Sequence, residues 1–365
     1  MYQKLIRPLL FRLQPETAHH LTMFGLHVAG KIPGATALLR GIYGTKATRM
    51  LETQLFGLTF HTPIGLAAGL DKNAEAVKAF SNVGFGFLEV GTVTPKAQPG
   101  NEQPRSFRLP PDEALINRMG FNNEGIDTLF HRLDALTERR IPIAINIGKN
   151  KVTPNEDAIQ DYIACMRGLY KQGDFFVVNI SSPNTPDLRK LQHGDELENL
   201  LIAVRDEAKA LSKANKEEKP KAVLVKIAPD LNEDELTSII ATVVRSNIDG
   251  IIATNTTLSR EGLQHPNKRE TGGLSGKPLK DRSTQVIHEI YKQTKGSLPI
   301  IGSGGIFTAE DAYEKIRAGA SMIEVYTGMV YHGPAINRQI QNGLLALLQR
   351  DGYKHISEAV GTAHQ

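Results

Sequence analysis

The chain of 365 residues carries one cysteine, Cys165, so neither an intramolecular disulfide nor a cysteine-rich metal site can form. That usage fits a reducing compartment. Long apolar runs are missing too: none approaches the roughly 18 residues a spanning helix needs, and the start lacks the apolar core and small-residue cleavage site of a secretory signal. Net charge is small, +4 from 43 basic and 39 acidic residues. Both signs are interspersed, which gives no basic stripe for nucleic acid. No HExxH, no CxxC and no histidine pair at ligand spacing falls where strands are expected to end, so no metal site is expected. What is present, 40% hydrophobic residues and 33 glycines, describes an ordinary large core. The length suits one barrel-sized domain with a small appendage.

The appendage is expected over residues 1–45. From Tyr2 to Leu13, Leu5, Ile6, Leu9, Leu10 and Leu13 fall near one helical face while Lys4, Arg7 and Arg12 lean away. Pro8 makes this helix irregular, and Pro15 breaks it before a second helix through Leu21, Phe24, Leu26 and Val28. Gly30, Pro33, Gly34, Gly41 and Gly44 then read as punctuation. Period alone leaves two uses open for the apolar face: packing on the protein, or lying on a membrane surface.

Residues 46–350 read as an α/β (β/α)8 TIM barrel. Eight strand candidates, Ile64 to Ala68, Phe87 to Gly91, Ile143 to Gly148, Phe175 to Ser181, Val223 to Ala228, Gly250 to Thr254, Pro299 to Gly302 and Met322 to Tyr326, alternate with amphipathic helices. The helices run from Ala74 to Asn82, Gly125 to Arg139, Asp157 to Tyr170, Glu196 to Lys213, Glu233 to Ser246, Ser283 to Lys292, Ala309 to Ala318 and Ala335 to Leu348. Residues 93–123 and 257–280 are longer than a barrel needs, and the first contains a hairpin, Arg105 to Leu109 with Ala114 to Asn117. The tail, 351–365, is expected to be weakly structured.

In a barrel the polar residues at the carboxyl ends of strands face the site. Here they include Gly69 to Lys72, Thr92, Asn146, Asn179, Ser182, Asn184, Lys226, Thr254 to Thr256, Gly302 to Gly305, Tyr326 and Thr327. Glycines after the seventh strand and Gly328 after the eighth suit a phosphate. Asn117, Asn146, Asn179, Asn184 and Asn255 suit a planar ligand with amide edges. Lys72 and Lys226, at the ends of the first and fifth strands, are expected to face negative charge, and a lysine there suits a Schiff-base nucleophile, a partner of a substrate carboxylate or a stabiliser of a reduced, anionic flavin ring. His19, His20 and His61 are expected to be structural. A phosphate-binding lyase or isomerase would explain the glycines, but it leaves the serine loop, Ser181 to Thr185, and the N-terminal helix pair without a role.

Several motifs carry a resemblance. They are Gly65-Leu66-Ala67-Ala68-Gly69-Leu70-Asp71-Lys72, Glu89-Val90-Gly91-Thr92-Val93-Thr94-Pro95, Asn117-Arg118-Met119-Gly120-Phe121-Asn122, Asn146-Ile147-Gly148-Lys149-Asn150 and Asn179-Ile180-Ser181-Ser182-Pro183-Asn184-Thr185. Lys226-Ile227-Ala228-Pro229-Asp230, Thr254-Asn255-Thr256-Thr257 and Gly272-Gly273-Leu274-Ser275-Gly276 follow in the same order. Across essentially its whole length the chain resembles the quinone-dependent class of dihydroorotate dehydrogenases.

The resemblance implies one FMN per chain, held by Ala68, Gly69, Leu70, Asp71, Lys72, Thr92, Asn146, Asn179, Lys226, Thr254, Gly276 and Gly305, with its phosphate near Tyr326 and Thr327. It implies dihydroorotate, and its product orotate, bound by Lys72, Asn117, Arg118, Met119, Gly120, Phe121, Asn179, Asn184, Asn255 and Thr256. Ser182 matches the catalytic base, where soluble relatives carry cysteine, and Thr185 with a water beside Phe121 is the expected proton relay. A quinone is the implied co-substrate, drawn from the membrane pool through the helical appendage. The expected setting is the cytoplasmic face of a bacterial inner membrane, with the protein peripheral, monomeric and engaged in pyrimidine biosynthesis.

Overall fold

Apolar runs of three to seven residues, flanked by turns and rich in isoleucine and valine, are too short for helices and become strands buried on both faces. In the computed structural model, which describes residues 2–364, eight such strands pair in parallel and close. They are β1 Ile64–Leu66, β2 Phe87–Val93, β3 Ile143–Ile147, β4 Phe175–Asn179, β5 Val223–Ile227, β6 Gly250–Ala253, β7 Ile300–Ser303 and β8 Met322–Val325. Chain order is spatial order, and β8 pairs back onto β1 through Ile323 and Ile64. Met1 of the expected appendage and Gln365 of the expected tail lie outside the described residues.

Helices cover the outside of the barrel. Two start at reciprocal caps: Asn232 with Glu235 opens Glu233–Arg245, and Thr308 with Asp311 opens Ala309–Ala318. One expected helix, Ala74 to Asn82, shrinks to the single turn Val77–Phe80. Ala74 adopts φ 56, which a right-handed helix cannot contain, and the Asp71 carboxylate accepts from the amides of Glu75 and Ala76 at 2.7 and 2.9 Å instead.

Inside the barrel the character of the side chains changes with height. Toward the amino ends Phe87, Phe175, Leu224, Ile252, Ile301 and Met322 form an apolar plug. A short hairpin that sequence patterning did not indicate, Thr53–Leu55 with Leu58–Phe60, caps it, placing Phe60 edge-on to Phe87 at 5.7 Å between ring centroids. Gly65 leaves room for the Phe87 ring, which a Cβ there would meet at 2.1 Å. Moving up β2, β5 and β8 by the two-residue period of a strand replaces Phe87, Leu224 and Met322 with Glu89, Lys226 and Glu324.

Both long connections enter one roof. The expected hairpin forms as Ser106–Leu109 and Ala114–Asn117, and Gly273–Gly276 from the second connection pairs antiparallel with it. Over the roof's edge lie three N-terminal helices, Arg7–Leu10 after a π-turn, Pro15–Lys31 and Ala35–Tyr43. The last was not foreseen, because Gly34, Gly41 and Gly44 read as breaks; Gly34 and Gly44 flank this helix and Gly41 is carried inside it. Ion pairing of Glu16 with Arg105 at 2.7 Å and a Tyr2 hydroxyl donating to the Val330 carbonyl at 2.7 Å tie the helices down.

The tail is not weakly structured. Residues Ile356–Ala359 form a helical turn, the Ile356 amide donates to the Met50 carbonyl at 2.8 Å, and His364 stacks on His288 at 3.8 Å. Sequence reading missed it because the apolar anchors are few, Ile356 at 1% exposure and Ala359 at 0%, within a polar stretch. Replacing Ile356 with alanine is expected to destabilise the fold by about 3 kcal/mol, read from the denaturant midpoint. An unchanged midpoint would show that the tail adds nothing.

Candidate active site

At the carboxyl end of the barrel is a cleft of about 1170 Å³, open solvent at its mouth included. Of the residues expected there, Ala68, Gly69, Lys72, Thr92, Asn117, Met119, Gly120, Phe121, Asn179, Ser182, Asn184, Lys226, Thr254, Asn255, Thr256, Gly276, Gly305, Tyr326 and Thr327 line it. Gly302 and Thr185 are not in the lining, and neither are four of the residues expected to hold flavin or substrate. Leu70 faces a second cavity, and Asp71 is consumed by its backbone caps. Arg118 turns outward to Glu270, at 2.7 Å, and stacks over the Phe107 ring. Asn146 sits one layer deeper, its Nδ2 donating to Glu89 Oε1 at 2.6 Å.

At the cleft floor an ion cluster holds three strands together. Lys226 Nζ on β5 lies 2.7 Å from Glu89 Oε2 on β2 and 3.2 Å from Glu324 Oε2 on β8. All three are buried. One cation cannot balance two carboxylates out of water, so the cluster holds an extra proton. Burial raises both acids, but at Glu89 the Lys226 charge and hydrogen bond and the Asn146 amide outweigh it and hold the carboxyl below its usual range. At Glu324 burial and the neighbouring Glu89 charge push the carboxyl well up, so the proton belongs there. Lys226 is raised above the ordinary lysine range: burial opposes its charge, and Glu324 with Glu89 overcomes burial. Sequence reading expected negative charge at Lys226 from a ligand and missed these two carboxylates. The available signal was a glutamate in the middle of a buried run, as in Phe87–Val93 and Met322–Val325.

Above the floor, amide side chains form one net. Asn179 Nδ2 donates to Thr92 Oγ1 at 2.9 Å and to Asn146 Oδ1 at 3.1 Å, and Asn255 Nδ2 donates to Ser181 Oγ at 3.0 Å. Across the mouth, Asn184 Nδ2 donates to Asn117 Oδ1 at 3.2 Å, joining the serine loop to the roof. Arg189 staples that loop, donating to the Ser181 and Thr256 carbonyls at 2.9 Å each and pairing with Asp230 at 2.8 Å.

Ser182 is 7% exposed, and among the described residues its Oγ takes part in one hydrogen bond, from the Asn184 amide at 3.3 Å. Nearby, the Thr185 hydroxyl is buried without a partner. Lys72 donates to Asn122 Oδ1, and burial, with Arg105 adding to it and Glu16 opposing, pushes its ammonium down to about 8. At the far end, the Gly304–Gly305 bend after β7 faces the start of helix Thr327–His332, and Ser275 Oγ lies 2.8 Å from Thr327 Oγ1.

A second cavity of about 1260 Å³ shares Gly69, Lys72, Ser106, Leu115, Met119 and Tyr326 with the cleft and runs out between the N-terminal helices. Its apolar wall includes Leu10, Phe11, Pro15, Ala18, Met23, Leu26, Met329 and Val330, and Glu16, His19, Thr22, Lys72, Glu75 and Arg108 are among its polar members. Burial, assisted by Lys72 and His20 against Glu16, pushes His19 down to about 4, so its imidazole is neutral near pH 7. Cys165 is buried and its thiol is raised well above normal, chiefly by burial, which makes it an inert packing residue.

Comparison with known proteins decides what this arrangement belongs to. Residues 50–348 match the family model described as dihydroorotate dehydrogenase. The chain belongs to the dihydroorotate dehydrogenase family. It is 52% identical over 361 residues to a protein of Deinococcus deserti named dihydroorotate dehydrogenase (quinone), covering 99% of both chains. A protein of the same name from Gloeobacter violaceus is 52% identical over 360 residues, covering 99% of this chain and 98% of that one. Among solved structures, the Eimeria tenella enzyme in complex with ferulenol superposes with a TM-score of 0.87 at 43% identity, covering 96% of both chains. Its ligand-free form superposes with a TM-score of 0.86, covering 96% of this chain and 99% of that one.

The ion cluster makes a prediction about stability. In the cofactor-free protein, Lys226→Met strands the buried Glu89 carboxylate beside a neutral Glu324 and is expected to cost about 3–5 kcal/mol. Glu324→Gln replaces a protonated acid by its isostere and is expected to cost less than about 1 kcal/mol. Comparable losses in the two variants, by denaturant unfolding, would contradict the assignment of the proton.

Proposed function

We propose that the chain oxidises (S)-dihydroorotate to orotate as a single polypeptide, with FMN and a quinone, at a membrane surface. The observation that carries this is the union of the serine loop, the amide net and the Lys226 cluster in one cleft that opens into an apolar passage. FMN fits what the cleft offers. Lys226 and the orphaned buried oxygen of Glu324 supply polar groups at the floor. Thr92, Asn179 and Thr254 supply mixed donors and acceptors along the wall, and the Gly304–Gly305 bend with the start of helix Thr327–His332 suits the phosphate. FMN, when bound, supplies the hydride acceptor and passes the electrons on to the quinone.

The residues around it do the rest. Lys72 presents an ammonium to the substrate carboxylate, while Asn117, Asn184, Asn255 and Thr256 present amide and hydroxyl groups to the ring edges. Gly120 and Phe121, both at positive φ of 70 and 54, bend the roof loop so that Phe121 closes over the mouth and limits water. Ser182 takes the C5 proton, and its own hydroxyl proton leaves through the partnerless Thr185 hydroxyl and a water.

The surface supports membrane docking. Among the described residues twelve large hydrophobic side chains are exposed, and nine of them lie in the first 42 residues, with Phe24 at 66% and Leu38 at 64%. Helix Ala35–Tyr43 adds Leu38 and Ile42 to the apolar face read from the first two. Exposed Lys4, Arg12, Lys31 and Arg40 suit an anionic lipid surface such as the cytoplasmic face of a bacterial inner membrane. Among the described residues no helix is long and apolar enough to cross.

The chemical test is an anaerobic titration with dihydroorotate, following oxidised-flavin absorbance. Wild type is expected to bleach, and Ser182→Ala to retain FMN but bleach about a hundredfold or more slower; a wild type that binds no flavin, or a variant of undiminished rate, defeats the assignment. For docking, Phe24→Asp combined with Leu38→Asp should abolish flotation with anionic phospholipid vesicles while leaving bleaching by dihydroorotate unchanged. Undiminished flotation would remove these helices from the membrane.

A further inference from the structure

Lys315 lies in helix Ala309–Ala318, behind β7, and has no place in the chemistry above. It is 0% exposed. The carboxylates nearest to it, Asp281, Asp311 and Glu314, face Lys280 instead, at 3.8, 3.5 and 3.4 Å. Its Nζ donates to three neutral oxygens: the Lys280 carbonyl at 3.1 Å, Ser283 Oγ at 3.1 Å and Thr284 Oγ1 at 2.9 Å. Among the described residues no carboxylate lies within 4.0 Å of Lys315, and a buried ammonium with satisfied hydrogen bonds but no direct ion pair is a costly arrangement that favours a nearby anion.

The hydrogen bonds point to where that anion sits. Lys280, Ser283 and Thr284 form the first turn of helix Lys280–Thr294. The Gly304–Gly305 turn rests directly on this helical turn, so that a Cβ on Gly305 would fall 2.4 Å from Lys280 Cα. Ser283, which accepts from Lys315, donates to the Ser303 carbonyl at 2.6 Å, and the same carbonyl accepts from the Thr254 amide at 2.8 Å. The path from Lys315 therefore ends on residues that line the phosphate end of the cleft.

We propose that Lys315 is a positioning residue for that end of the cleft. It fixes the helix turn beneath Ser303–Gly305 and supplies the buried positive charge whose counter-ion is the phosphate of FMN. The inference rests on the flavin reading above. In the ligand-free protein burial pushes the Lys315 ammonium down to about 7, with Glu314, Asp311 and Asp281 opposing and Lys280 adding to the effect. A phosphate dianion favours the charged form and raises that value. Between the two values the bound state holds more protons, so FMN binding takes up a proton, and its dissociation constant rises as pH climbs through the window.

The experiment is calorimetric titration of the cofactor-free protein with FMN, and with riboflavin, in buffers of different ionisation heat at about pH 7.5–8.5. The FMN phosphate is already a dianion there, its second pKa being about 6. Uptake at Lys72 would accompany either ligand, whereas uptake at Lys315 needs the phosphate. The expected result is a larger proton uptake with FMN than with riboflavin. Lys315→Met should weaken FMN about tenfold, flatten its pH dependence and leave riboflavin within about twofold. Equal uptake for the two ligands in wild type overturns the proposal even if the variant fails to fold, and so does a variant with unchanged FMN affinity and pH slope. A wild type that binds neither flavin overturns the flavin reading itself.

Discussion

The barrel mouth is organised around a charge imbalance: one buried lysine between two buried glutamates on strands that are far apart in sequence. An uncompensated charge in such a place would cost several kcal/mol, so register, protonation and neighbouring amides are all constrained by it. Glu89 also accepts from the Ala68 amide at 2.9 Å, which brings the turn after β1 under the same control. Asn146 is drawn down to Glu89 and in turn orients Asn179 and Thr92. The amide net on the cleft wall is thus set from below. The apolar plug two residues lower keeps water from reaching the cluster from the opposite end.

The two cavities divide the work spatially. The cleft is walled by hydroxyls, amides and the serine loop; the passage carries a larger apolar share, with Leu10, Phe11, Met23, Leu26, Met329 and Val330, and runs between the N-terminal helices that bear the exposed hydrophobic side chains. A polar, carboxylate-bearing substrate and an apolar quinone can therefore approach one flavin from different solvents. Glu16 and Arg105 join these regions: Arg105 pairs with the helix and donates to the carbonyls of Pro99 and Asn101, in the loop beside the cleft roof.

Legibility in the sequence followed local pattern. All eight strands could be found because a doubly buried strand is a short β-branched run, and polar residues at their ends could be listed as a site because barrel geometry sends them there. Helix Ala35–Tyr43 was hidden by glycines that a helix on a surface tolerates or uses as caps. The roof strand Gly273–Gly276 was hidden because its pairing is non-local. Asp71 and Arg118 sit in motifs that resemble the family's, yet pattern gives no direction to a side chain, and both point away from the cleft. Glu324 and Lys315 were overlooked for the same reason: a charge inside an apolar or amphipathic run looks solvated until the fold closes over it.

The central claim is that the Lys226 cluster carries a proton on Glu324 at neutral pH. Infrared difference spectroscopy between wild type and Glu324→Gln, in water and deuterated water, addresses it directly. The account predicts a carbonyl stretch of a protonated carboxylic acid in the wild type that shifts on deuteration and vanishes in the variant. Loss of only a carboxylate band, with no protonated-acid signal, would contradict it and leave two negative charges to be balanced by one lysine.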